Sequence, residues 1–270
     1  MTIAVMPAAL SSEELGELAF PARCLDGDSF ASRLADLLGR QVEALGRALP
    51  SPARQAIARA AETSLKIALR LALRTIDKTS PAKAAKGAHK AAAAASGALG
   101  GAFGLASMAV ELPITTTILL RSIAEIAREE GEDLARPEAA LACIEVFGLG
   151  GEAAGEAAIE SGYFAVRGAL AKSVGESARF IAQRGLVDET APILVRLLAQ
   201  IAARFGVVVG EKLAAQAVPV IGAIGGAAVN VAFAEHFQTV ARGHFIVRRL
   251  ERAHGTEAVR FEYRRLRGEM

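Results

Sequence analysis

Residues 213–234 run for 22 positions without a charged side chain, and Gly222, Gly225 and Gly226 sit among alanines inside that run. With so little bulk on one flank, the backbone of another helix can come close, so the segment is expected to lie packed rather than in water. Beyond it Phe233, Phe237, Val240 and Val247 recur at intervals of four, three and seven, the spacing of one helix face, and His244 falls on that face. Residues 213–250 are therefore the element around which the remaining helices are expected to assemble.

A second run, 91–110, has twenty residues without a charge and holds Gly97, Gly100, Gly101 and Gly104. A glycine in a helix interior costs about 1 kcal/mol relative to alanine, so this cluster suggests a close helix crossing or a break. The length suits a bilayer span, but alanine and glycine transfer little free energy into lipid, about 0.8 kcal/mol for each buried methylene. A mean hydropathy of +0.33 with 52% hydrophobic residues reflects the same content. It places the chain between a tightly packed soluble helical protein and one that enters a bilayer. The two runs are expected to pack as a hairpin-like core, with Pro219 and the glycines at the contact.

The other helices read from periodicity and caps. A short one begins at Ser11 or Ser12 in an N-terminal arm. Leu34, Leu37, Leu38, Val42, Leu45 and Leu49 make a stripe that stops before Pro50, and Ser51-Pro52 opens a helix to about residue 77. Further helices are expected over 114–130 after Glu111-Leu112-Pro113, from Pro137 through Phe147, over 152–172, from Pro192 through Phe205, and over 248–267 with an interruption at Gly255. No stretch alternates with period two, so no strand is placed. The fold class is all-α, a single multi-helix bundle built around the two Gly/Ala-rich segments, with an N-terminal arm and first helix (1–48) and a helical domain (49–270).

Net charge is only +2, but it is unevenly laid out. Residues 54–90 carry nine Lys or Arg against Glu62 and Asp77, whereas 111–176 carry twelve acids against five bases. The two blocks either face each other or the basic one faces an anionic partner. Arg59, Lys66, Arg70 and Arg74 line one side of the helix that starts at Ser51, and Lys83, Lys86 and Lys90 follow. This is the pattern of a lipid or partner contact, or of a solvated outer face. Nucleic acid is an unlikely partner class, because aromatics make up 5% of the chain and none interleaves the basic stretch.

Motifs for chemistry are sparse. Cys24 and Cys143 match no metal-ligand spacing and fit two buried thiols in a reducing, cytoplasmic compartment. Residues 1–20 hold Glu13, Glu14 and Glu17 with no base ahead of the apolar patch, unlike a secretory signal. Gly148-x-Gly150-Gly151 resembles part of a dinucleotide fingerprint, but that motif needs a strand before it, and the preceding segment reads as helix. His236 and His244 lie about 12 Å apart along a helix, too far to share a metal. Glu111 interrupts an otherwise uncharged stretch and must pair with a cation or reach water, with Arg121, Arg248 and His244 as candidate partners. Asn230 in the charge-free run needs a hydrogen-bond partner too.

Several blocks together resemble one known family. They are Val110-Glu111-Leu112-Pro113 ahead of 114–127, then Gly131 and Asp133, then Pro219-x-x-Gly222-x-x-Gly225-Gly226-x-x-x-Asn230, and His244-Phe-Ile-Val-Arg248-Arg-Leu-Glu251. From residue 52 to the C-terminus the chain is similar to the EcsC family of bacterial proteins. Family members usually carry aspartate where Glu111 stands, and many have Tyr-Gly in place of Glu130-Gly131. The resemblance implies a link to membrane transport, since the family takes its name from an operon that also encodes an ABC transporter. It implies no established catalytic activity, and no motif in the sequence calls for a cofactor.

The leading expectation is a non-catalytic, cytoplasmic helical protein, peripheral at the inner face of the plasma membrane, that binds anionic lipid or a membrane partner such as a transporter through its basic helix. A hydrolase whose site gathers Glu111, Asn230, His244 and Arg248 is the alternative from a different class. A soluble scaffold presenting an apolar patch to another helical protein is the third.

Overall fold

The computed structural model describes residues 10–27, 30–38, 49–75, 105–151, 162–184, 191–216 and 222–269. They form α1 (Ser12–Cys24), α2 (Phe30–Leu38), α3 (Ser51–Thr75), α4 (Leu105–Glu129), α5 (Pro137–Leu149), α6 (Tyr163–Arg184), α7 (Pro192–Gln216), α8 (Gly222–His254) and α9 (Thr256–Arg267). There is no strand among the described residues, and the protein is an all-α bundle.

Helix α8 is the shared axis, packing against α1, α4, α5, α7 and α9. Its apolar stripe does what the spacing predicts: Phe233, Phe237, Val240 and Val247 are buried. Phe237 meets Phe147 of α5 in a tilted contact and Phe205 of α7 edge-to-face, with ring centroids 5.3 and 5.6 Å apart, so aromatic contacts tie three helices at one point. Helix α3 lies along α4 and α7 with Ile57, Ala61, Leu65, Ala68 and Ala72 inward.

Three expectations change. Helix α4 begins at Leu105 and passes straight through Pro113, rather than starting after it. The ring removes one N–H, but Pro113 is only half-buried and Ala109, whose carbonyl is affected, is exposed, so water can replace the lost bond. Helix α6 runs from Tyr163 to Arg184 instead of over 152–172, whose first half lies outside the described residues. Helix α1 is not a loose arm: Leu18 and Ala22 are buried in a second cluster with Tyr163, Val247, Leu250, Val259 and Tyr263. Ser11 and Glu14 form the reciprocal capping box that starts it.

The expected hairpin of Gly/Ala-rich segments cannot be followed in full. Gly97, Gly100, Gly101, Gly104 and Pro219 lie outside the described residues, and Gly222, Gly225 and Gly226 form the first turns of α8. Close backbone approach is instead seen at the end of α5. A Cβ on Gly151 would stand 2.4 Å from the Arg204 carbonyl oxygen, and one on Gly150 would stand 2.7 Å from the Phe237 ring. Among the described residues one helix, α7, is long and apolar enough to cross a bilayer, and half of its apolar window is buried inside the fold.

Candidate functional site

Glu145 is the one acid in the apolar run of α5 and it points into the protein, against α6 and α8. Its Oε2 lies 4.0 Å from Nε2 of His244, and Nδ1 of His244 is 2.9 Å from the Tyr163 hydroxyl. All three side chains are buried. The Tyr163 oxygen also accepts a long hydrogen bond from Arg167, 3.4 Å, which leaves its own proton to be donated to Nδ1. That places the imidazole hydrogen on Nε2, toward Glu145. Burial pushes the Glu145 carboxyl up to about 7 and holds His244 well below the ordinary imidazole range. Near neutral pH the imidazole is uncharged and the carboxyl is poised between its two forms, so this group can store or pass a proton.

Two arginines close the centre, and each is already answered. Arg167 makes a bidentate pair with Glu251, at 2.9 and 2.6 Å, and Arg248 makes another with Glu132, at 2.7 and 3.1 Å. Glu132 also accepts from Arg252. Burial pushes Glu132 up, but the two guanidiniums together hold it below the usual carboxylate range. The backbone explains how these acids reach α8. Gly131 has φ of 77°, a left-handed turn at the end of α4 in which the Glu132 amide bonds the Ala127 carbonyl. The turn sends Glu132 to Arg248 and Glu130 to Arg249, 2.8 Å away, while Arg249 also reaches Glu17 of α1 at 2.8 Å.

Glu111 pairs with Lys212 of α7 at 2.7 Å, both side chains being nearly buried. This corrects the expected partners. Arg121 is exposed, Arg248 is engaged by Glu132, and His244 faces Tyr163 and Glu145. Lys212 also sits 5.1 Å from the Phe233 ring centroid, and burial lowers its basicity. Asn230 is fully buried on α8, one turn before Phe233.

The four candidates Glu111, Asn230, His244 and Arg248 thus fall in two places. His244 and Arg248 share the polar centre, one turn apart on α8. Asn230 lies 14 residues, about 21 Å along the axis, before His244. Glu111 belongs with Lys212 at that earlier level.

Sequence reasoning missed Glu145, Tyr163, Arg167 and Lys212. The signal for Glu145 was the one used for Glu111, a lone acid in an apolar run. Lys212 is the last charge before the 22-residue neutral stretch.

His236 has a different task. Its Nε2 donates to the Gly150 carbonyl at 2.7 Å, and Arg204 donates to the Gly148 and Gly151 carbonyls at 2.8 and 2.6 Å. Together they cap the C-terminal end of α5. Burial takes His236 down to about 4, so it caps as a neutral donor. The glycines of the Gly148-x-Gly150-Gly151 run therefore end a helix, as the reading of the preceding segment as helix implies, and sit under side chains. The thiols are unreactive in character: burial pushes Cys143 up to about 12 and half-buried Cys24 up to about 11. Among the described residues no three His, Cys, Asp or Glu side chains are placed to hold a metal.

On the outside, Arg59 and Arg70 of α3 are exposed, and half-exposed Lys66 pairs with Glu62 at 2.7 Å. Their spacings of seven and four put the three cations within about 40° of one line along the helix. Arg74 continues that line in sequence, while Lys83, Lys86 and Lys90 lie outside the described residues. Three acids of the middle of the chain are engaged by cations of other helices, Glu111 by Lys212 of α7, and Glu130 and Glu132 by Arg249 and Arg248 of α8.

No curated protein and no solved structure matches the chain. The EcsC protein family does, over residues 28–250, a span that takes in Glu145, Tyr163, Arg167, His244 and Arg248 of the polar centre, the Glu111–Lys212 pair and the basic face of α3, while leaving out α1, Glu251 and α9. The chain belongs to the EcsC family.

Proposed function

We propose that this protein is a non-catalytic helical module that docks on an anionic membrane surface through α3. The observation that carries the reading is the line of Arg59, Lys66 and Arg70 on the side of α3 opposite its buried face, with Glu111, Glu130 and Glu132 of the acidic block engaged on other helices. Each such cation near an anionic leaflet contributes about 1 kcal/mol, so a short line of them gives reversible, salt-sensitive attachment. The interior supports a structural role for the buried charges. Arg167 and Arg248 are each held in a two-pronged grip by a carboxylate, so they fix α6 and the turn after α4 against α8 rather than wait for a substrate.

Co-sedimentation with vesicles tests the reading. Recovery with phosphatidylserine-containing vesicles at low salt, its loss at high salt, and loss of roughly tenfold or more in affinity for R59E/R70E are expected. Equal recovery in the supernatant with neutral and anionic vesicles at every salt concentration would overturn it.

A further inference from the structure

Among the described residues four large apolar side chains are exposed: Val110, Ile114, Phe261 and Leu266. Phe261 and Leu266 stand five positions apart on α9, about 140° around the helix, so they do not make a common face. Val110 and Ile114 do, being four apart on α4, and they are 67% and 50% exposed. Half-buried Ile118 continues the stripe, and exposed Arg121 ends it.

Glu111 is the only charged residue between 105 and 120. It stands next to Val110, where a solvated carboxylate would oppose contact with lipid, yet it is turned inward onto Lys212 at 2.7 Å. The exposed side of α4 over Ala109, Val110 and Ile114 is therefore apolar and uncharged. Helix α4 also packs along α3, whose exposed line is Arg59, Lys66 and Arg70. Apolar side chains on one helix, with cations on its neighbour and with Arg121 closing the apolar stripe, match an interface between hydrocarbon and anionic headgroups.

We propose that Val110 and Ile114 enter the acyl boundary of an anionic bilayer when the protein docks, with α4 lying along the surface and Arg121 and the α3 cations at headgroup level. The proposal rests on the docking reading and adds to it the face that inserts. The inward pairing of Glu111 with Lys212 is the feature that permits insertion.

The chain contains no tryptophan, so single substitutions report cleanly. Full-length V110W, I114W and F261W are titrated with vesicles of phosphatidylcholine alone and of phosphatidylcholine with phosphatidylserine, with and without brominated acyl chains. Expected are a blue shift and bromine quenching at positions 110 and 114 on anionic vesicles and neither at 261. V110S/I114S, altered only at exposed positions, is expected to lose about tenfold or more in vesicle affinity. Co-sedimentation of all variants with emission unchanged at 110 and 114 would overturn insertion while leaving docking in place. Failure of every variant to bind anionic vesicles would remove docking and insertion together. A blue shift that grows with protein concentration without vesicles would assign the face to a second copy of the chain and overturn the proposal.

Discussion

Nε2 of His244 and Oε2 of Glu145 stand 4.0 Å apart in the interior, joining α8 to α5. Burial moves their proton affinities in opposite directions, the acid up and the base down. Stability should record both. Glu145, raised in the fold, contributes stability that is full below about 4.5 and lost as pH rises through about 7. His244, depressed in the fold, contributes stability that is present above about 6.5 and lost as pH falls below that. Between about 4.5 and 6.5 the two oppose each other.

Glu145→Gln should remove one side of that balance. On acidification from pH 6.5 to 5, the urea midpoint of the variant should fall more steeply than that of the wild type, because only the His244 penalty remains. The Glu145 shift, from 4.5 to about 7, corresponds to about 3 kcal/mol across its window. Parallel pH profiles for the two proteins would show that the proton is not shared in this way.

Arg248 grips Glu132 with two nitrogens, a geometry that lysine cannot reproduce. Arg248→Lys is expected to lose about 1–2 kcal/mol of unfolding free energy and Arg248→Ala about 2–4 kcal/mol, discounted for the partial exposure of the arginine. Urea titration checks both. A lysine variant as stable as the wild type would mean that charge alone is sufficient.

Removing Lys212 leaves Glu111 facing the core without its cation. Lys212→Met should cost about 3–5 kcal/mol, while E111M/K212M should recover most of that loss, since replacing both partners removes the desolvation penalty with the attraction. The double variant is the informative one. If it is as unstable as the single, the pair is holding register rather than neutralising charge.

Glycines in this chain divide into two kinds. Gly151→Ala forces a Cβ onto the Arg204 carbonyl, 2.4 Å away, and should destabilise by about 1–3 kcal/mol. Gly168, exposed in the middle of α6 with nothing within 4 Å of the added carbon, should instead gain about 0.5–1 kcal/mol on substitution by alanine. Thermal melts of the two variants should move in opposite directions.

The all-α class and the buried stripe of α8 were legible in the sequence because both depend on local spacing. Phe233, Phe237, Val240 and Val247 declare a face without reference to anything else. Pro113 misled the reading of α4 because its cost depends on whether the freed Ala109 carbonyl reaches water, which is a tertiary fact. The polar centre was half legible. His244 and Arg248 could be singled out on one helix, but Tyr163, Arg167 and Glu145 meet them across distances in sequence that no periodicity encodes, and the same holds for Lys212 and Glu111. Gly131 directly follows the helix expected over 114–130, but that it is the turn that aims Glu130 and Glu132 at α8 depends on a positive φ and on partners more than a hundred residues away.

Asp26, just after α1, accepts from the backbone amide of Tyr163 and from the hydroxyl of Tyr263, both at 2.5 Å, so one carboxylate is claimed by early, middle and late portions of the chain. During synthesis the first helix leaves the ribosome well before the surface it finally rests on exists, and its apolar side must wait for almost the whole polypeptide. Synthesis of α8 and α9 is thus what lets α1 settle, and a chain truncated before residue 256 would keep the α8 half of that seat while losing the α9 half.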